Sequence, residues 1–259
     1  MHEMEDRKIF ASLMHLSLKD NWSSLPAGDL ALRVGKYFLN TPYGTSTLET
    51  QDTERIVVNL RQLDCITLIE NVVALTRLIK EKGTNFETFA ATLQKVRYRG
   101  GDMQGYSSRL HYFSDWFYDN QLKGFVFDIT EDIGGIPYKK TVNFMTKHPK
   151  QYPCLATGSQ FEEMLQIEKD LSRRTFHRIP KKDLPQCADL IKDGNLLAIT
   201  AAKAGLDVLH TALAIRIDGQ LRLLHASQEK GQVVISEQTL SEYLEEKKER
   251  TGIIAGRIL

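Results

Sequence analysis

The residues that follow Cys65 set the terms for the whole chain. Ile66, Leu68, Ile69, Val72, Val73, Leu75, Leu78 and Ile79 recur at helical spacing. They spread beyond one narrow stripe, so the helix they predict must be covered on most sides by other elements. Asp64 stands just before it, where a short carboxylate accepts hydrogen bonds from the unpaired first backbone N–H groups. Cys65 then falls at the start of a largely buried helix. The helix dipole favours a thiolate there and predicts a lowered thiol pKa. Two readings stay open from this stretch: a small buried structural cysteine, or an activated nucleophile.

The 259 residues suffice for one large domain or two modest ones. Hydrophobic residues make up 42% and charged residues 26%, the balance of a globular chain with a sizeable core. A net charge of +1 creates no global field, so neither nucleic acid nor a membrane surface is implied as partner. No apolar run approaches the roughly 18 residues that would span a bilayer. Met1 to Lys8 carries no basic-then-apolar signal pattern, which as a natural start implies the cytoplasm. The three cysteines, Cys65, Cys154 and Cys187, show no CxxC spacing. Cys154 and Cys187 read as structural thiols, with pairing open in an oxidising compartment.

Along the chain, helices are predicted from Arg7 to Leu18 and again through Leu30, Val34, Tyr37 and Phe38. Glu54 to Leu60 reads as a short strand leading to the central helix. Phe86, Phe89, Leu93 and Val96 form the stripe of a further helix ending near Tyr98. Tyr106 to Trp116 interleaves aromatics with Ser, Arg and His, and two readings compete. One is a binding wall for sugar rings; the other is an amphipathic helix packing Leu110, Phe113 and Phe117 inward. Gly124 to Ile129 reads as a strand, Gly134 to Pro137 as a turn, and Phe161 to Leu171 as a helix. Asp193-Gly194-Asn195 turns into a strand, Leu196 to Thr200. No repeat or linker divides the chain, so a single elaborated domain over 1–259 is expected.

Residues 208–227 predict a hairpin. Val208 to Ile217 and Gln220 to Ser227 flank Asp218-Gly219, a two-residue turn signal that requires positive φ. With that turn Ile217 opposes Gln220, Ala212 opposes His225, and His210 opposes Ser227. His210 and His225 then share a sheet face as diagonal neighbours roughly 7 Å apart. A histidine oriented by a second polar side chain is what a general base needs. The alternatives are two plain strand residues, a satisfied buried hydrogen bond, or a zinc site made with Cys65.

Five stretches together resemble a known family. They are Thr41-Pro42-Tyr43-Gly44 with Thr47-Leu48-Glu49; Val57 to Leu60 running into Leu63-Asp64-Cys65-Ile66-Thr67-Leu68-Ile69-Glu70; Arg97 to Gly101; Ser108 to Tyr112 with Asp115-Trp116; and Gly205 to His210 continuing to His225-Ala226-Ser227. The chain resembles the amidase branch of the NlpC-type, papain-like cysteine hydrolases. That resemblance implies an α+β fold, with a papain-like NlpC-type core and large helical insertions. The nucleophile would head a helix packed on an antiparallel sheet, and about 85–195 would be an insertion shaping the cleft. It implies Cys65 as nucleophile, His210 as base and His225 as the orienting third member. It also implies Tyr43 with its hydroxyl facing the thiol. Asp64, Arg109, His111, Tyr112, Trp116 and Ser227 are the further candidates for holding substrate. The implied reaction is hydrolysis of the amide joining N-acetylmuramic acid to L-alanine, with no cofactor or metal. Muropeptides are the expected partners, the cell envelope or periplasm the expected place, and a monomer the expected state. The same machinery serves two rival readings: a peptidase acting within the stem peptide, and a non-catalytic binder of wall fragments.

Overall fold

In the computed structural model, residues 2–49, 53–155 and 158–259 are described. Helix α1 (His2–Lys19) and helix α2 (Ala27–Tyr37) precede the central helix α3 (Cys65–Lys80). Helices α4 (Phe86–Arg97) and α5 (Phe113–Leu122) follow it. Strands β1 (Val126–Asp128) and β2 (Ile136–Tyr138) come next, then helices α6 (Phe144–Lys147) and α7 (Ser159–Arg173). Strand β3 (Phe176–Pro180) and the short helix α8 (Leu184–Cys187) lead into β4 (Leu196–Ala201), β5 (Val208–Ile217), β6 (Gln220–Ser227) and β7 (Gln232–Ile235). Helix α9 (Leu240–Glu245) and strand β8 (Arg250–Ile258) close the described chain. The strands form one antiparallel sheet in the order β2-β3-β8-β4-β5-β6-β7, and β1 also pairs with β8.

The period of two along the strands divides the core. Leu196, Ala198, Leu213, Ile215, Leu224 and Ala226 face the layer of α1 to α5. Leu197, Ile199, Ala212, Ala214, Leu221 and Leu223 face the other way, onto Leu184, Ile191, Leu240 and Leu244. A third cluster, around Tyr112, Phe144 and Met164, holds the segment from α5 to α7 together. Helix α3 is the buried helix its composition demands: from Thr67 to Ile79 every residue but Arg77 is buried.

The segment expected as a strand, Glu54 to Leu60, is irregular. Its polar groups find side chains instead of a ladder. Arg97 Nη1 donates to Val57 O at 2.6 Å, Leu60 N donates to Asp6 Oδ1 at 2.8 Å, and Asn59 Oδ1 accepts from Arg61 N and Gln62 N, each at 3.1 Å. Arg97 also pairs with Glu70 of α3 at 2.7 Å, both side chains 2% exposed. This buried pair pins the approach to Cys65 against the helix it enters. Gly134 and Gly135 turn as expected, but Ile136 and Pro137 belong to β2. The cysteines Cys65, Cys154 and Cys187 are all free thiols.

Candidate active site

The start of α3 is built by a capping box. Thr67 N donates to Asp64 Oδ1 at 2.8 Å, and Asp64 N donates to Thr67 Oγ1 at 2.9 Å. Asp64 is thus committed to its own helix. The first N–H groups of the helix remain without intrahelical partners and converge where Cys65 stands. Thr211, next to His210 on β5, donates its hydroxyl to Cys65 O at 2.6 Å. That bond ties the helix start to the strand carrying the first histidine.

The hairpin turns at Asp218 (φ 52°) and Gly219 (φ 77°), the two positive φ values of the predicted turn. The paired register runs from Ile217 with Gln220 to Leu213 with Leu224 and ends one residue short of His225. His210 Nε2 lies 2.6 Å from His225 Nδ1, with the rings at 86° to one another. A β-bulge inserts Leu209 between Val208, paired with Thr200, and His210, paired with Ile199. Bulges beside functional sites re-aim side chains, and this one lies immediately before the first histidine. The start of β5 is also anchored below. Asp207 Oδ2 accepts from Ser114 N at 2.7 Å, and Gly205 O accepts from Asn143 N and Phe144 N. Gly205 has φ 76°, and an added Cβ would lie 2.6 Å from Asn143 Oδ1, so glycine is required there.

The electrostatics correct one expectation. Lost hydration around the sulfur, then the negative charge of Asp64, push the Cys65 thiol up to about 12. Hydrogen bonds from Thr211 and Ile66 pull the other way and do not prevail. The expected lowering of the thiol is thus reversed, with lost hydration the larger cause and the carboxylate that caps the same helix the second. Both histidines are held neutral. His210 falls to about 3 through lost hydration and the charges of His225 and Arg250; His225 falls to about 4 through lost hydration and Arg250. The thiol is protonated and the two imidazoles are neutral, and the tie between them is the Thr211 hydroxyl on Cys65 O.

Tyr43 sits where its phenol senses the thiol. It is pushed up to about 12 by lost hydration, then by Cys65 and Asp64. Tyr43 N donates to Gly231 O at 2.8 Å, and its backbone bridges to Leu63. Tyr243 of α9 was not legible as a site residue. Its ring centroid lies 6.1 Å from that of His210 and 5.8 Å from that of His225, and lost hydration pushes its phenol up. Two cavities adjoin the histidine pair, of about 640 Å³ and about 380 Å³. Both are lined by His225, Ser227, Glu229 and Tyr243, and the larger also by His210, Lys247 and Arg250. Neither draws a lining residue from 85–195.

The expected aromatic wall is internal structure. Trp116 is fully buried and stacks on Phe113, with centroids 4.8 Å apart. Tyr112 is buried and donates its hydroxyl to Glu168 at 2.6 Å. Arg109 Nε and Nη2 form a fork on Glu54 at 2.9 and 2.8 Å, and Nη1 adds Glu49 at 3.1 Å. His111 Nε2 donates to Tyr106 O at 2.8 Å. The polar groups of Tyr112, Arg109 and His111 find partners within the chain, Trp116 Nε1 is buried without one among the described residues, and none of the four lines either cavity. Leu110, Phe113 and Phe117 are buried, as the amphipathic alternative requires. Ser227 does line both cavities, and its Oγ accepts from Lys230 N at 3.1 Å. Among the described residues no group of three or more His, Cys, Asp or Glu side chains is gathered as a metal ion would require.

The sequence model of the AmiA-like family, described as N-acetylmuramoyl-L-alanine amidase-like, matches residues 33–253. A crystal structure of an N-acetylmuramoyl-L-alanine amidase from Bacteroides uniformis superposes with a TM-score of 0.86 at 37% identity, covering 90% of this chain and 99% of that one. A Bacteroides fragilis protein, provisionally described as a xylanase, has a TM-score of 0.83 at 38% identity, covering 88% of this chain and 100% of its own. A Legionella pneumophila protein shares the fold alone, with a TM-score of 0.75 at 21% identity over 100% of this chain and 96% of its own. No curated protein matches.

Proposed function

This chain belongs to the N-acetylmuramoyl-L-alanine amidase-like family, and we propose that it is a cysteine amidase. Its substrate is the amide between N-acetylmuramic acid and L-alanine in peptidoglycan fragments. The observation that carries the reading is the hydrogen-bonded His210–His225 pair on the β5–β6 hairpin, whose first strand is tied to the start of the Cys65 helix. An NlpC-type, papain-like core accounts for that placement: a nucleophile heading a buried helix against an antiparallel sheet bearing the base and its orienter.

Cys65 Sγ attacks the lactyl carbonyl carbon as His210 takes the thiol proton. A base at His210 Nδ1 leaves Nε2 protonated, so Nε2–H donates to His225 Nδ1 and the pair has one defined tautomer. Free N–H groups at the start of the Cys65 helix stabilise the oxyanion. The C–N bond breaks as His210 returns the proton to the alanine nitrogen, leaving a thioester on Cys65. Water then attacks the thioester carbonyl, His210 takes its proton, and the muramic carboxylic acid leaves as the thiol reforms. On this reading the reaction belongs with its cell-wall substrate, in the envelope or periplasm. Among the described residues no helix is long and apolar enough to cross a membrane.

The test is mass spectrometry of N-acetylmuramoyl-L-alanyl-D-isoglutamine extended by one residue, incubated with the protein and with Cys65→Ala. The expected products are free N-acetylmuramic acid and an intact stem peptide, absent with the variant. A cut inside the peptide transfers the reading to a peptidase. No product from any sugar-peptide leaves a binding protein.

A further inference from the structure

Two buried guanidinium groups differ in what they leave open. Arg109 presents its Nε and Nη2 edge to Glu54 and has that edge filled. Arg250, the first residue of β8, is 8% exposed, and its guanidinium lies 3.5 Å over the Tyr243 ring. Among the described residues only its Nη1 makes hydrogen bonds, to Tyr243 O and to Glu246 Oε2 at 2.8 Å. Its Nε and Nη2 have no partner there. Those two donors form the side-on edge that a carboxylate engages with both oxygens. Neither donor is sealed from solvent, so this edge stays free to receive an anion from the cavity that Arg250 lines.

The surroundings favour an anion from outside the chain. Arg250 lines the larger cavity together with His210, His225 and Lys247. Lys247 is exposed and makes no ion pair among the described residues. The same cavity is also lined by Glu229 and Glu249, both exposed, and Glu246 stands beside it on Arg250. Exposed carboxylates are hydrated and screened, whereas the buried guanidinium is neither to the same degree. Its field is felt at both histidines, whose protonation it opposes.

We propose that Arg250, assisted by Lys247, is a carboxylate-binding subsite beside the histidine pair, taking the free α-carboxylate of the second residue of the substrate's stem peptide. The assignment rests on the amidase reading. In such a substrate that carboxylate lies one residue past the alanine, roughly 7 Å of extended chain beyond the scissile nitrogen. The subsite makes the chain selective for acidic stem peptides over amidated ones.

Two measurements test it. The first compares kcat/KM on N-acetylmuramoyl-L-alanyl-D-glutamate and on its D-isoglutamine analogue, whose α-carboxylate is an amide. The intact chain is expected to prefer the acid by about 10- to 100-fold, mainly through KM, and Arg250→Met to bring the ratio near one. The second uses calorimetry on Cys65→Ala with L-alanyl-D-glutamate and L-alanyl-D-isoglutamine, which needs neither turnover nor a change at Arg250. Preference for the acid is expected again. Equal kcat/KM or equal affinity for the two overturns the subsite, while hydrolysis of both leaves the amidase reading intact. A dipeptide preference without hydrolysis of either muropeptide keeps the subsite and sinks the amidase.

Discussion

His210 Nε2 lies 2.6 Å from His225 Nδ1, with the two rings nearly perpendicular. One nitrogen donates and the other accepts, so the pair selects a tautomer that neither ring would hold alone. On the amidase reading, His225 is a positioning residue for His210. His225→Ala is expected to lower kcat by about 10²- to 10⁴-fold with KM little changed. Cys65→Ala is expected to abolish turnover. Steady-state kinetics on a defined muropeptide check both, and an unchanged kcat in His225→Ala contradicts the assignment.

Asp64 has two effects that substitution can separate. Its side chain caps α3, and its charge raises the Cys65 thiol. Asp64→Asn keeps an acceptor for Thr67 N and removes the charge. The thiol pKa is expected to fall while stability stays close to wild type. Asp64→Ala is expected to lower the pKa too, and to cost about 1 kcal/mol through the lost cap. Iodoacetamide rate against pH, read beside urea melts, distinguishes the two variants.

Acid is expected to destabilise the fold earlier than ordinary carboxylate titration would. His210 and His111 are held to about 3 and His225 to about 4, each below its ordinary 6.5 and mainly by lost hydration. The unfolded chain binds those protons from 6.5 downward while the folded chain does not. Stability therefore falls as pH drops from 6.5 toward 4, by up to about 1.4 kcal/mol per pH unit for each histidine. His225→Gln is expected to flatten this slope in urea melts taken at pH 7, 6 and 5.

Glu70 depends on Arg97. Its burial pushes its carboxyl above the usual range, and Arg97 is the cation that opposes this. Arg97→Met keeps most of the packing but leaves Glu70 buried without a partner and Val57 O without a donor. A loss of about 3–5 kcal/mol is expected. Replacing both, as Glu70→Leu with Arg97→Met, is expected to recover much of it. Equilibrium unfolding of the single and double variants measures the difference.

The parts of the site legible in the sequence depend on near neighbours. A capping aspartate acts within three residues, so the start of α3 and the placement of Cys65 could be read directly. Asp218-Gly219 admits one tight turn, and period-two alternation then brings His210 to His225. Other features depend on partners far along the chain. Glu54 to Leu60 has strand composition, yet Asp6 and Arg97 take its backbone groups. Arg109, His111, Tyr112 and Trp116 look like a binding wall until Glu54, Tyr106 and Glu168 take the first three and Phe113 stacks on the buried fourth.

By itself, then, the sequence determined the Cys65 helix, the histidine hairpin and the family, because each is written in contiguous residues whose local geometry has few solutions. Only the tertiary structure decided which polar groups face a cavity and which are consumed inside the protein. It also decided the thiol's charge state and the place of Tyr243 and Arg250 beside the histidines. Those are sums of desolvation and charge over groups brought together by packing, and no local pattern along the chain contains such a sum.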